Sequence, residues 1–186
     1  MNILTINPGS TSTKIAVFHD LKPVMIENIK HSVEELAPFA KVSDQFGYRL
    51  NLVLKTLAEK GQNLSFDAIV ARGGLLKPIE GGVYAINDVM LGEMEHPMRN
   101  HASNLGCRIA AEIAARIPGC RALTADPGVV DEMDDVARVS GSPLMPRITT
   151  WHALNQRAIA RRYARQLSEK EGRKIKYKDL NLIICH

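Results

Sequence analysis

Apolar and polar positions alternate near the start of the chain with the two-residue period of β-strands. Apolar runs at residues 3–6 and 15–18 flank a polar turn, and a third run covers 24–29. A period of two puts the apolar side chains on one face of a strand, so these runs predict an antiparallel three-stranded meander. Later apolar runs predict four further strands, at residues 66–71, 83–86, 121–125 and 181–186.

Between the later strands the apolar residues recur every three or four positions, which is the period of an amphipathic helix. Helices are predicted over residues 43–60, 101–117 and 151–167, and a further helix runs from Asn87 or Asp88 to Pro97. The stretch 127–146 is rich in turn residues, with one short helical or extended piece. Strands that alternate with helices in this order predict an α/β fold with a mixed sheet flanked by helices.

The net charge of +4 on 186 residues is mildly basic, and much of the excess lies between residues 157 and 178. Such a region attracts anions. Its aromatic residues are only Tyr163 and Tyr177, which gives little support for stacking on bases. We therefore expect an arginine-rich solvated helix face and no nucleic-acid partner.

The three cysteines are an odd number with no Cys-x-x-Cys spacing, which argues against a disulfide framework or a zinc site. Reduced cysteines favour a cytoplasmic location. No apolar run approaches the length that crosses a bilayer, and the N-terminus has no signal-peptide pattern. The sequence therefore predicts a cytoplasmic protein without a membrane partner.

The polar turn of the first hairpin reads Asn-Pro-Gly-Ser-Thr-Ser-Thr-Lys, at residues 7–14. Its hydroxyls are hydrogen-bond donors, Gly9 allows the main chain to approach a ligand, and Lys14 adds a positive charge. A phosphate group needs such donors and a counter-charge. The alternative is an ordinary polar turn, since Asn, Pro, Gly and Ser are common in turns for conformational reasons alone.

Two charged residues follow predicted strands, where ligand sites of α/β proteins lie. Arg72 is followed by Gly73 and Gly74, which leave room for a ligand, and its guanidinium can hold a carboxylate or phosphoryl group with two hydrogen bonds. Asp126 follows the strand at 121–125. Each also has an ordinary interpretation, Arg72 as a surface residue and Asp126 as an Asx turn before Pro127.

Five segments together closely resemble the butyrate kinases of the acetate kinase family. They are residues 7–14, 71–76 (Ala-Arg-Gly-Gly-Leu-Leu), 101–106, 126–133 (Asp-Pro-Gly-Val-Val-Asp-Glu-Met) and 146–155. The resemblance implies an actin-like ATPase fold, related to ribonuclease H, with ATP and Mg²⁺ bound between two domains. It also implies reversible transfer of the γ-phosphoryl group of ATP to a short-chain carboxylate, which gives an acyl phosphate.

The resemblance also implies roles for individual residues. Asn7 and Asp126 lie near the metal, and three residues of the polar turn bind phosphate oxygens: Ser10, Ser12 and Lys14. Catalytic roles fall to Arg72, Asp126 and His152, of which His152 stabilises the transferring phosphoryl group. His101 and Asn104 lie in a matching motif and are substrate-side positions.

Members of this family are roughly twice as long as the present chain and form dimers or larger assemblies. We therefore expect a ribonuclease H-like kinase domain at residues 1–148 and the start of an incomplete second domain at 149–186. Two hypotheses about function are therefore compatible with the sequence. In the first, the chain has butyrate kinase activity and forms homo-oligomers. In the second, it is a non-catalytic fragment or interaction module that needs a separate chain to complete the site.

Overall fold

The computed structural model of the chain describes residues 1–97, 99–149 and 152–184. Its centre is a single sheet of six strands: β1 (Asn2–Pro8), β2 (Ser12–His19), β3 (Lys22–Lys30), β4 (Ala68–Arg72), β5 (Val83–Ala85) and β6 (Arg121–Ala125). The strand order across the sheet is β3-β2-β1-β4-β6-β5. All six strands coincide with apolar runs that the sequence analysis predicted.

The sheet is mixed, because its pairing changes from antiparallel to parallel at β1. Strands β1, β2 and β3 form the predicted antiparallel meander. Strand β4 pairs in parallel with both β1 and β6, and β5 closes the other edge antiparallel to β6. The carboxyl ends of β1, β4 and β6 therefore lie side by side at one edge of the sheet.

Five α-helices accompany the sheet in the described residues: α1 (Val33–Leu36), α2 (Phe46–Glu59), α3 (Asp88–Glu95), α4 (Asn104–Ala114) and α5 (Ala153–Glu171). Three 3₁₀ segments lie at Val42–Gln45, Asp135–Arg138 and Tyr177–Asp179. The second of these is the short helical piece expected in the turn-rich stretch. Four helices confirm the predictions with somewhat different ends, and the start of the last prediction, Trp151, lies outside the described residues.

Helix α1 was not predicted, because it is only four residues long. A capping box closes its first turn: the Ser32 hydroxyl accepts from the Glu35 N–H at 3.2 Å, and the Glu35 carboxylate accepts from the Ser32 N–H at 2.7 Å. Such local hydrogen bonds hold one turn that carries no buried residue. The spacing of apolar residues therefore gave no signal for helix α1.

The core lies between the sheet and helices α2 and α4. Its side chains alternate along the strands and recur at helical spacing on the helices, as the sequence predicted. Full burial of each large aliphatic side chain contributes about 1.5–3 kcal/mol. The largest members with almost no exposure are Leu4, Ile6, Ile15, Ile69, Val53, Leu57, Ile109 and Ile113.

The strand predicted at 181–186 is not formed over residues 181–184, which have no regular structure. The remaining two positions, Cys185 and His186, lie outside the described residues. A strand needs a neighbour to pair with its main-chain groups, and no neighbouring strand pairs with this segment in the part of the chain that is described. Ile183 is instead 92% exposed. The prediction was wrong because an apolar run marks burial only where a partner strand is present.

None of the helices in the described ranges is long and apolar enough to cross a bilayer. Cys107 and Cys120 are free thiols, and burial raises the pKa of both. The third cysteine, Cys185, lies outside the described residues.

Candidate active site

Three of the predicted site residues come from the carboxyl ends of the neighbouring strands β1, β4 and β6. Asn7 is the last residue but one of β1, Arg72 ends β4, and Asp126 directly follows β6. They line one open cleft of about 350 Å³, together with residues from the first turns of α5: Leu154, Asn155 and Ala158. The parallel arrangement thus brings together side chains that are up to 119 positions apart in the sequence (126 − 7).

His152 precedes α5 and joins two of these residues. Its Nε2 atom lies in a short contact with Nη2 of Arg72, and its Nδ1 atom lies 3.2 Å from the main-chain oxygen of Asp126. His152 thus links the end of β4 to the turn that follows β6.

Asp126 has an unusual main-chain conformation, with φ at 51° in the left-handed region. Few residues other than glycine adopt this region, although aspartate tolerates it better than most. The turn directs the carboxylate towards α5, where Oδ1 accepts a hydrogen bond from the Leu154 N–H at 3.0 Å. The second oxygen, Oδ2, lies 3.6 Å from Nδ1 of His152. Asp126 therefore fixes the start of α5 against the end of β6.

The glycines after Arg72 do not leave room for a ligand, so that sequence-based expectation was wrong. A Cβ atom on Gly73 would lie 2.6 Å from Oγ1 of Thr124, and one on Gly74 would lie 2.6 Å from Sδ of Met94. At both positions, protein atoms occupy the space that a side chain would take. The glycine pair instead allows the chain after β4 to pack closely between its neighbours.

Gly106 on α4 has the same kind of role beneath Arg72. A Cβ atom at this position would lie 2.7 Å from the main-chain oxygen of Arg72. Contacts under 3.0 Å force something to move, and here the neighbour is a main-chain atom that cannot move freely. A glycine at residue 106 therefore allows the end of β4 to pack closely against α4.

The polar turn adjoins this cleft on the hairpin between β1 and β2. Residues 9–12 form the turn, closed by a hydrogen bond of 2.7 Å from the Gly9 N–H to the Ser12 oxygen. Lys14 is the direct cross-strand partner of Asn7, so both side chains lie on the same face of the sheet. Ser10 is exposed and Ser12 half-buried. These three residues lie beside the cleft and are not part of its lining.

Two residues that the sequence analysis missed hold this turn. Arg49 is fully buried and contacts the turn from α2, and His31 contacts it from the end of β3. A signal for Arg49 was present: it lies between Phe46 and Val53 on the apolar face of the predicted helix, where a charged residue needs partners. For His31, which follows a strand of ordinary composition, no comparable signal exists.

His101 and Asn104 have structural contacts near the start of α4. The Nδ1 atom of His101 accepts a hydrogen bond from the Ser103 N–H at 3.2 Å. The buried Asn104 accepts from the Leu75 N–H and donates to the Arg99 oxygen, both at 2.9 Å. Asn104 thereby braces the loop that follows Arg72.

The donor atoms at the cleft fit Mg²⁺ better than a transition metal. No cluster of three or more His, Cys, Asp or Glu side chains that could hold an ion occurs within the described residues. Asn7 and Asp126 offer an amide oxygen and a carboxylate. Mg²⁺ prefers oxygen ligands and commonly binds through one or two protein groups, with water and phosphate oxygens completing its shell.

The fold and the position of the cleft define the class of protein. The chain has the actin-like ATPase fold, as predicted, because its six-stranded sheet matches solved acetate and propionate kinases. Acetate kinase from Porphyromonas gingivalis matches with a TM-score of 0.57 at 15% identity, over 95% of this chain and 50% of that one. A propionate kinase from Francisella tularensis matches with a TM-score of 0.53 at 13% identity, over 93% and 50%. No family model matches the chain.

Sequence comparison shows a closer relationship. Over all 186 residues the chain is 59% identical to a probable butyrate kinase of Bacteroides thetaiotaomicron, of which it covers 51%. It is 49% identical to butyrate kinase 2 of Clostridium acetobutylicum, with 99% of this chain and 50% of the relative covered. The resemblance to butyrate kinases is thus confirmed as homology along the whole chain, which spans about half the length of these relatives.

Proposed function

We propose that the cleft is one side of a short-chain carboxylate kinase site. The reaction is the reversible transfer of a phosphoryl group from ATP to butanoate, which gives butanoyl phosphate and ADP. The observation that carries the proposal is the meeting of Arg72, Asp126 and His152 at the carboxyl edge of the sheet, beside the hydroxyl-rich turn. The names of the relatives support the substrate class.

The chemistry requires little proton transfer. A carboxylate nucleophile is already ionised at neutral pH, so catalysis consists mainly of alignment and charge neutralisation. Arg72 can hold a carboxylate or the transferring phosphoryl group with two parallel hydrogen bonds. An anionic oxygen that binds Arg72 replaces its contact with Nε2 of His152. His152 then lies next to the transferred group, where a hydrogen bond or a positive charge stabilises the transition state.

The other side chains have roles in binding the nucleotide. Ser10, Ser12 and Lys14 bind phosphate oxygens of ATP on the side of the hairpin. Asn7 and Asp126 hold Mg²⁺, which supplies neutralisation of phosphate charge when it is bound. Asp126 needs no role as a general base, because the acceptor arrives as an anion.

We further assign residues 1–148 to a ribonuclease H-like domain and residues 149–186 to the start of a second one, which carries α5. In this arrangement α5 supplies Leu154, Asn155 and Ala158 to the cleft from the second domain. The whole protein is a cytoplasmic homo-oligomer in this proposal.

A second candidate function follows from length. The chain covers only 51% and 50% of its relatives. In this alternative the chain has no activity by itself and acts as one component of a site that a separate polypeptide completes. Both candidates assign the same roles to Arg72, Asp126 and His152, and they differ in whether a second chain is required.

An assay for butanoyl phosphate separates the two candidates. The purified chain is incubated with ATP, Mg²⁺, butanoate and hydroxylamine, alone and together with the remaining half of the Bacteroides thetaiotaomicron relative. Hydroxamate formed by the chain alone supports an independent enzyme, and hydroxamate formed only by the mixture supports completion by a separate chain. Absence of product from both samples, with folding verified by circular dichroism, contradicts the proposed function.

The matched control is Asp126→Asn in the sample that is active. Asparagine keeps an oxygen that accepts from the Leu154 N–H, so the junction with α5 is retained while the negative charge is lost. We expect a loss of about 100-fold or more in the rate, typical for removal of one group that stabilises transition-state charge or its metal. An unchanged rate contradicts the role of Asp126.

A further inference from the structure

A buried arginine lies beneath the polar turn of the first hairpin. Arg49 on α2 has no solvent exposure. Its Nε and Nη2 atoms both donate to Oε1 of Gln45, at 3.0 and 2.9 Å. The partners found for Arg49 in the described part of the chain are all neutral: an amide, a hydroxyl and main-chain carbonyls. The guanidinium therefore keeps an uncompensated positive charge directly under the turn.

The carbonyl groups of the turn are directed into the protein. Arg49 donates to three of them: Gly9 at 2.8 Å, Ser10 at 3.1 Å and Ser12 at 3.3 Å. The fourth, of Thr11, accepts from the main-chain N–H of His31 at 2.9 Å. All four carbonyls of residues 9–12 thus have a donor within the protein, and three of them face Arg49.

The direction of these carbonyls fixes the direction of the N–H groups. No cis peptide bond occurs in the described residues, and in a trans peptide the C=O of one residue points opposite to the N–H of the next. Because the carbonyls of Gly9 and Ser10 point towards Arg49, the N–H groups of Ser10 and Thr11 point away from it, towards the outside of the turn. Two successive outward N–H groups form a concave site for an anion.

Thr13 and His31 hold the guanidinium in this orientation. Oγ1 of the fully buried Thr13 accepts from Nη1 of Arg49 at 3.0 Å, so its own hydrogen is free to bond Nε2 of His31 at 2.9 Å. Nδ1 of His31 faces the Tyr48 hydroxyl at 3.5 Å. Arg49 is therefore braced by Gln45 on one side and by the Thr13–His31 pair on the other.

We propose that Arg49 is a positioning residue that holds the turn at residues 9–12 with the N–H groups of Ser10 and Thr11 outward, as the cradle for the phosphate chain of the nucleotide. The guanidinium does not touch the ligand. It acts by fixing the carbonyls and by adding positive potential beneath the cradle. The inference rests on the proposed function only in naming the anion as the phosphate chain of a nucleotide.

The test measures two properties of the full chain. The first is the dissociation constant for tripolyphosphate, the probe for a nucleotide's phosphate chain, by titration calorimetry. The second is the ¹⁵N relaxation of the Ser10, Thr11 and Ser12 amides without ligand, which reports the order of the turn. In the unaltered chain we expect these amides to be as ordered as those of β1, and their resonances to shift on addition of tripolyphosphate.

The variants are Arg49→Met, Arg49→Lys and the control Arg116→Met. Methionine keeps an unbranched side chain without donors, and lysine keeps the charge but cannot reach three carbonyls at once. Arg116 is an exposed residue of similar charge that pairs with Glu112. We expect tripolyphosphate binding about 10-fold or more weaker in Arg49→Met, partial recovery in Arg49→Lys, and no change in Arg116→Met.

The proposal is overturned if Arg49→Met folds, binds tripolyphosphate as the unaltered chain does and keeps an ordered turn. If Arg49→Met does not fold, Thr13→Val and Thr13→Ser decide the matter. Thr13→Val removes the hydroxyl that accepts from the guanidinium, and Thr13→Ser keeps a hydroxyl there. Weaker tripolyphosphate binding and a less ordered turn in Thr13→Val alone support the proposal. Equal behaviour of the two variants contradicts it.

Failure of this inference and failure of the proposed function give different results. If the unaltered chain does not bind tripolyphosphate, the proposed nucleotide site is wrong. The relaxation measurement still decides whether Arg49 positions the turn: lost order in Arg49→Met supports it and retained order contradicts it.

Discussion

The turn at residues 9–12 and the cleft beside it are held in place by different means. The turn is made of consecutive residues, and one buried guanidinium fixes it from beneath. The cleft joins Arg72 to His152 across 80 positions of sequence, at strand ends that face solvent. Main-chain donors that must keep one direction need support from the interior. Side chains that must exchange partners during a reaction need an open position.

The largest expected difference between the two regions is in stability. Arg49→Met leaves inward carbonyls and the Thr13 hydroxyl without a donor, and we expect it to lower the free energy of unfolding by about 3 kcal/mol. Arg72→Met removes a donor at the edge of an open cleft, where water can replace it, and we expect a loss of less than about 1 kcal/mol. Urea unfolding followed by circular dichroism measures both. Equal losses of unfolding free energy in the two variants contradict the proposed difference between the turn and the cleft.

The next effect concerns the support of the cleft. Gly106→Ala puts a methyl group 2.7 Å from the Arg72 oxygen, and we expect a loss of about 2 kcal/mol in unfolding free energy, typical of overpacking. The matched control is Gly92→Ala on α3, where a Cβ atom meets no other atom within 4 Å. That change favours the helix by about 0.5–1 kcal/mol. Urea unfolding of both variants should therefore give shifts of opposite sign, and a destabilised Gly92→Ala or an unaffected Gly106→Ala is inconsistent with the packing.

The smallest effect is the pH dependence that His31 contributes. Burial lowers the pKa of His31 below its usual 6.5; nearby Arg49 lowers it further and Glu35 opposes this, while Tyr48 faces the ring. Between the folded pKa and 6.5 the unfolded chain binds more protons than the folded one, so stability falls as the pH decreases through this window. At pH values above this window, His31 is neutral in the native state.

His31→Gln removes this titration. We expect the stability of the unaltered chain to decrease more steeply between pH 7 and pH 5 than that of His31→Gln, measured by urea unfolding at several pH values. A slope that is the same for the unaltered chain and His31→Gln rules out a buried neutral His31.

The comparison also shows what the sequence could predict. The residue types at 7–14 predicted a turn with phosphate-binding character, since turn chemistry is local. Neighbouring parallel strands bring their carboxyl ends together, so Arg72 and Asp126 could be placed at one edge from the strand pattern alone. The contact of His152 with Arg72 could not be predicted this way, because it depends on how α5 meets the sheet.

Other features were not predictable because they depend on partners far along the chain. The role of Arg49 requires knowing that α2 packs directly under the first hairpin. The role of Gly73 and Gly74 was misread, because a glycine that admits a ligand and a glycine that admits a neighbouring side chain look the same in sequence. The failed strand at 181–184 has the same origin, since apolar composition does not specify a pairing partner.

The most direct test of the central claim is a titration of the ¹⁵N-labelled chain with butanoyl phosphate in the presence of Mg²⁺, followed by amide chemical shifts. The account predicts that the largest shifts occur at Gly73, Asp126 and Leu154, around the carboxyl ends of β4 and β6, and that Arg72→Met abolishes them. Shifts centred elsewhere on the chain, or shifts unchanged by Arg72→Met, contradict the assignment of this cleft as one side of a short-chain carboxylate kinase site.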